Sequence, residues 1–310
     1  MLFLVFLMIF LVGCQKGSST DSSSRGKIFI SGNDGLSIAF DDEETPERIG
    51  DNSADEFDIV INVENNGEHD IESGKIIATL QGIDRDAFSL SSLSVKSDRE
   101  LNGERRFRDR DEVGEEDELV FENAKYKFDL DADFSVTMRA DVCYEYKTRA
   151  QGDICLKRNA NERLTNDVCD LDDSSVDIES SGAPVQVTKM TQRPSGSNKV
   201  SFTFDVEKKG SGDVFEPGTF TSVCNEQRDK KDRLKIRVTS ASERISPSCN
   251  RLNGGSQGIV DLIDGKRTIK CDVSTSSLQE FAHTRPLKIE LTYFYKDSEE
   301  RSIIVENTEF

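Results

Sequence analysis

An all-β fold is predicted, with two tandem antiparallel β-sandwich domains of immunoglobulin-like type behind a lipoprotein signal peptide and a flexible serine-rich tether. Three observations predict it. Short apolar-alternating segments recur along most of the chain, one pair of such segments occurs twice, and the first dozen residues form an apolar run that ends at a cysteine. The expected boundaries are 1–13 for the signal, 14–26 for the tether, 27–181 for the first sandwich with its linker and 182–310 for the second.

The apolar run Met1–Val12 reads MLFLVFLMIFLV, with no Lys or Arg ahead of it. As a helix it would span about 18 Å, short of the roughly 30 Å hydrocarbon core, so a cleaved export signal fits better than a membrane span. Leu11-Val12-Gly13-Cys14 resembles a lipobox, in which a small residue precedes the cysteine that takes a diacylglyceryl group. Cys14 is thus the expected lipidation site. The serine-rich stretch after it, QKGSSTDSSSRG, buries nothing and reads as a tether.

The repeat has two landmarks. Ile59–Ile71 (IVINVENNGEHDI) aligns without a gap on Phe202–Val214 (FTFDVEKKGSGDV), matching Gly67 with Gly210 and Asp70 with Asp213. Each copy carries three alternating apolar residues, the mark of a strand with one buried face. A turn follows in which Gly67 or Gly210 is expected to supply positive φ. Downstream, Met138–Lys147 (MRADVCYEYK) aligns on Leu287–Lys296 (LKIELTYFYK). Each is expected to end in a turn and a short last strand, at 153–157 and 302–306. Further strands are expected at 75–80, 88–95, 119–121 and 126–130, and at 233–238, 258–263 and 268–273. A helical turn is expected within 161–169. The acidic, serine-rich segment 170–182 reads as the linker between domains.

The segment INVENNGEHDI, with GLSIAF at 35–40 before it, resembles CARDB-type domains, as does APVQVTKM with KVSFTFDVEKKGSGDVF at 183–215. These are immunoglobulin-like modules of prokaryotic, notably archaeal, surface proteins. The resemblance implies a sandwich fold and an extracellular setting, with adhesion or scaffolding as its function. It implies no catalytic residue.

Beyond Cys14 the cysteines are Cys143, Cys155, Cys169, Cys224, Cys249 and Cys271, an even set expected to form disulfides in an exported chain. If a hairpin folds near residue 149, Cys143 faces Cys155, and neither has a counterpart in the second copy. If all are oxidised, Cys169 then pairs across the linker with one of Cys224, Cys249 and Cys271; Cys224 is favoured, with Cys249 joined to Cys271. No C-x-x-C spacing occurs and the histidines are His69 and His283 only, so a zinc site has little support. His69 sits in a turn where the other copy has Gly212, and His283 precedes a strand; both read as surface residues and not as bases. The patterns G-x-S-x-G, H-E-x-x-H and the P-loop are missing from the sequence.

Asp129, Asp131 and Asp133 alternate, so in an extended chain they share a face. They read as a solvated strand face, with calcium as the alternative. The run 109–118 (DRDEVGEEDE) reads as a solvated loop, with calcium or a basic partner as the alternative. With 59 acidic and 40 basic residues the chain carries a net charge of −19. Such a field repels nucleic acid and anionic headgroups, so membrane contact is expected through the lipid on Cys14 and not through a basic patch.

These readings converge on a lipid-anchored protein of the extracellular face of the membrane. It is expected to have no cofactor and no enzymatic activity, and to act as an adhesion, scaffold or protein-interaction module with an unidentified extracellular partner. A tethered solute- or carbohydrate-binding protein is the alternative, weakened by the lack of tryptophan. An accessory subunit or inhibitor of an exported enzyme is the other.

Overall fold

The computed structural model describes residues 27–107, 110–162, 168–171, 174–240, 246–278 and 282–308. Cys14, the apolar run and most of the expected helical turn at 161–169 lie outside these residues. The described residues form strands and connecting turns, with no helix.

The first repeat begins with β1 (Leu36–Phe40), β2 (Arg48–Gly50), β3 (Phe57–Asn65) and β4 (Ile76–Gln81). It continues with β5 (Ser94–Lys96), β6 (Arg105–Arg106), β7 (Asp111–Glu112), β8 (Glu116–Ala124) and the long β9 (Phe134–Leu156). Next come β10 (Ser174–Val176), β11 (Ile178–Ser180), β12 (Val185–Pro194), β13 (Lys199–Lys208) and β14 (Asp213–Phe215). The chain ends with β15 (Arg233–Ser240), β16 (Ser248–Cys249), β17 (Gln257–Asp261), β18 (Lys266–Ser274) and the long β19 (His283–Glu306).

The two repeats share one large sheet, whose main path runs β17-β15-β19-β9-β4-β5. At its centre β9 and β19 pair antiparallel from Phe134–Val305 to Leu156–His283. Tyr146 faces Tyr293 and Tyr144 faces Tyr295, so each repeat meets the other at equivalent positions. The ladder places an approximate twofold axis normal to the sheet at Glu145 and Phe294. An antiparallel pair related in this way turns equivalent residues to the same face. Two smaller sheets, β1-β3-β8 and β10-β12-β13-β18-β16, therefore cover the same face of the large one. Between the layers lies a continuous core that joins Ile59, Ile61 and Phe121 of one repeat to Phe202, Phe204 and Ile269 of the other.

Several expectations are corrected. The turn expected at 149–152 does not form, and 138–157 is essentially one strand. The even-numbered side chains from Met138 to Leu156 remain buried almost throughout, so the period of two runs through Gly152 unbroken. A Cβ on Gly152 would lie 3.0 Å from the Asp177 carbonyl, so the glycine marks a close backbone approach. In the second repeat the polar stretch 297–301 also stays extended, because Asp297 to Arg301 pair with Val142 to Met138. The segment 170–182 contains β10 and β11, which pair with β12 and β9. Of 88–95, only the end is strand; Phe88 and Leu90 instead close a turn whose Asp84 carboxylate accepts the Ala87 N–H at 2.7 Å. Residues 126–130 form a loop.

Candidate interaction surfaces

The Tyr-x-Tyr pairs of the two repeats meet at the pseudo-axis. Tyr144 and Tyr146 lie 5.6 Å apart edge to face, and Tyr144 lies 5.9 Å from Tyr295. Tyr146 lies 6.4 Å from Tyr293. Such ring contacts are worth about 1 kcal/mol each beyond the area they bury. The hydroxyls serve equivalent backbone groups. Tyr144 accepts the Leu36 N–H at 3.0 Å and Tyr293 the Val185 N–H at 3.4 Å, both at the first strand of a repeat. Tyr146 accepts the His69 N–H at 3.4 Å and Tyr295 the Gly212 N–H at 2.6 Å, both in the turn after the repeated strand. Burial pushes all four phenols well up, so they stay neutral and hydrogen-bonded.

The opposite face of the large sheet, here the back face, is covered at one end. Residues 216–232 cross it as a strap, from β14 toward β15. A small apolar cluster of Ile77, Cys143, Phe215, Phe220, Cys224 and Phe294 lies beneath. Cys224 is disulfide-bonded to Cys143, and its N–H donates to Thr79 Oγ1 at 3.0 Å. The Ser94 hydroxyl donates to the Ser222 carbonyl at 2.8 Å. The other bridges are Cys155–Cys169 and Cys249–Cys271. The expected Cys249–Cys271 bond is therefore present, and the other two pairings are corrected. Cys143 and Cys155 cannot meet, because both lie on β9, twelve positions apart on a single extended strand. A covalent link between the repeats exists all the same, through Cys143 instead of Cys169.

A groove of about 650 Å³ opens over β1, β3 and β8. Glu64, Glu116 and Glu118 line it beside Asp117, whose Oδ1 pairs with Arg99 Nε at 2.7 Å. Asp117 Oδ2 is buried with no hydrogen-bond partner.

The remaining expected residues fall as follows. Asp129, Asp131 and Asp133 are exposed in the loop between β8 and β9, and not on a strand. Asp133 Oδ1 accepts the Asn307 N–H at 2.9 Å. Among the described residues no group of three or more His, Cys, Asp or Glu is arranged to hold a metal ion. In the acidic run, Asp111 pairs with Arg106 at 3.1 Å and Glu112 with Arg110 at 3.2 Å, so part of it is internally neutralised. His69 is half-buried, edge-on to Tyr146 at 5.3 Å. Burial, with Lys147 and Arg149 nearby, lowers its pKa to about 4. His283 begins β19 opposite Leu156.

No protein family and no curated protein matches the chain. Among solved structures it is weakly similar to the secreted serine protease VesC from Vibrio cholerae. The identity is 9% and the TM-score 0.18, covering 85% of this chain and 51% of that one. The chain thus spans about half the length of the protease. It is also weakly similar to the collagen adhesin CNA from S. aureus, with 10% identity, a TM-score of 0.11 and coverage of 92% and 91%. A mutant of the CFA/I enterotoxigenic E. coli adhesin CfaE gives 9% identity and a TM-score of 0.11, with coverage of 91% and 86%. Likenesses this low decide nothing about activity.

The strap was missed by sequence reasoning. Its signals were two phenylalanines, Phe215 and Phe220, and a cysteine within a stretch lacking strand alternation.

Proposed function

We propose that the chain is a non-enzymatic surface lipoprotein of CARDB-like type, held at the extracellular face of the membrane by lipid on Cys14. In this reading its sheet faces are presented to a protein partner. The observation that supports it most is the Cys143–Cys224 bridge between repeats. Disulfides persist in oxidising compartments, and three in one chain suit an exported protein. A bond joining the repeats makes a tandem that cannot flex at its junction, as a scaffold requires. The broad outer faces of the small sheets are polar and open, suited to contact with a macromolecule.

Two experiments test the reading. Membrane fractionation should find the parent chain in the membrane and the Cys14→Ser variant released or unprocessed. Equal membrane retention of both would overturn the anchor. In-cell crosslinking with mass spectrometry should return one dominant protein neighbour; bound glycan with no protein neighbour would overturn the interaction module.

A further inference from the structure

The back face beyond the strap is bare, and it is basic. Strand alternation turns Lys147, Arg149 and Gln151 of β9 to this face, with Lys288, Glu290 and Thr292 of β19 and Lys235, Arg237 and Thr239 of β15. The register sets them in rows: Lys147–Thr292–Lys235, Arg149–Glu290–Arg237 and Gln151–Lys288–Thr239. Five cations thus stand around Glu290, in a chain whose net charge is −19. Glu179 of β11 lies opposite Gln151 at the edge of the patch, and Glu145 lies two residues before Lys147 on the same face. Arg149, Lys235, Arg237 and Lys288 are exposed. Arg149, Arg237 and Lys288 line one open groove of about 380 Å³.

The same groove is lined by Ile28 and Phe29, the start of the described chain. That start is pinned in place. The Ile28 N–H donates to Glu179 at 2.7 Å, and the Ile30 and Ser31 N–H groups donate to Glu68 at 3.0 Å each. Arg106 Nη1 donates to the Phe29 carbonyl at 2.8 Å. Residues 14–26 therefore join the body at the rim of the basic patch.

We propose that this bare basic end of the back face docks on an anionic lipid leaflet, the body being brought to it by the lipid-anchored tether that enters beside it. The proposal rests on the reading of Cys14 as the anchor. Thirteen residues reach at most about 45 Å. A tether of that length permits contact without imposing a face, and the cations supply the preference. Net charge does not oppose it. At physiological ionic strength charges more than about 8 Å from the leaflet are screened. The acidic groove over β1, β3 and β8 lies a further sheet layer away, roughly 10 Å. The sheet sorts its charges by face, which total charge alone does not show.

The test uses a chain starting at residue 15, since the core and all three disulfides lie beyond residue 27. Co-sedimentation is measured with phosphatidylcholine vesicles, with and without one third phosphatidylglycerol, at a low salt of about 0.15 M NaCl, which keeps the screening length near 8 Å, and a high salt of about 1 M. Binding is expected only to the phosphatidylglycerol vesicles, and only at low salt. Each basic side chain near an anionic leaflet is worth roughly fivefold in partitioning, so combined Arg149→Gln, Arg237→Gln and Lys288→Gln should lower it about a hundredfold. Combined Lys189→Gln, Arg193→Gln and Lys270→Gln, on the outer face of the five-stranded sheet, should leave it unchanged. Equal loss in both triple variants, or no binding of the parent at low salt, would overturn the proposal. So would retention on heparin without vesicle binding, which would assign the patch to a soluble polyanion. No acyl chain is present in these measurements, so their failure is separate from failure of the Cys14 reading, which fractionation tests alone.

Discussion

Gly67 and Tyr146 are a matched pair: a Cβ at Gly67 would overlap the Tyr146 hydroxyl. Gly210 stands in the same relation to Tyr295 in the second repeat. Neither glycine has positive φ. The turn glycine of the repeat is thus required for room and not for a left-handed backbone, contrary to the expectation from the turn alone. It lets a buried phenol pass and reach the backbone of residue 69 or 212.

A double-mutant cycle should expose this pairing. Gly67→Ala is expected to cost about 1–3 kcal/mol through overpacking, and Tyr146→Phe about 1–2 kcal/mol through the hydrogen bonds it loses to His69 and Asn65. Phe removes the nearest clashing atom and leaves the Asp34 and Gly182 carbonyls, at 2.6 and 2.8 Å from the added Cβ. The double variant should therefore recover part of the cost and be more stable than the sum predicts, by at least about 0.5 kcal/mol in urea denaturation. Strict additivity would show that glycine and phenol are independent.

Non-reducing peptide mapping should return Cys143–Cys224, Cys155–Cys169 and Cys249–Cys271. The first closes a separation of 81 residues, so in the chain-entropy picture its loss should cost on the order of 4 kcal/mol. Cys143→Ser with Cys224→Ser should therefore lower the melting temperature more than Cys155→Ser with Cys169→Ser, whose separation is 14. The reverse order would show that the strap contributes little to holding the repeats.

Stability should fall as pH drops from about 6.5 to about 4. His69 has a folded pKa of about 4 against 6.5 unfolded, so in that window the unfolded chain binds the extra proton. The full loss is on the order of 3 kcal/mol. His69→Gln should flatten the profile there. Glu207, held down to about 2 by Lys209 and then Lys266, acts in a separate window below its usual 4.5. An NMR midpoint for His69 near 6.5 would remove the histidine as the cause.

Chelating calcium should leave the melting temperature within a degree or two. Asp129, Asp131 and Asp133 are exposed in a loop, and Asp133 already serves the Asn307 backbone. A loss of many degrees restored by calcium and not by magnesium would make them ligands.

Sequence alone determined the local and periodic features: the alternation of Ile59, Ile61 and Val63, the matching Phe202, Phe204 and Val206, and the all-β class that follows. It also showed that Tyr144 and Tyr146 have counterparts in Tyr293 and Tyr295, because duplication preserves residue type and spacing. The expected disulfides were legible in number, and Cys249–Cys271 also in partner, as the pair left over once Cys169 was assigned; that the two lie on paired strands is seen only in the fold.

Only the tertiary structure decided what depends on pairing between distant segments. Gly152 and the polar stretch 297–301 read locally as turns, yet both remain strand because each lies opposite an apolar partner strand that supplies its backbone hydrogen bonds. Once β9 is continuous, Cys143 and Cys155 are separated along it, and Cys143 is left on the back face for Cys224 to reach. The same continuity gathers Lys147, Arg149, Lys235, Arg237 and Lys288 from three strands onto one face. Their positions in the chain span more than a hundred residues, and no local pattern or net charge reveals which side of a sheet they share.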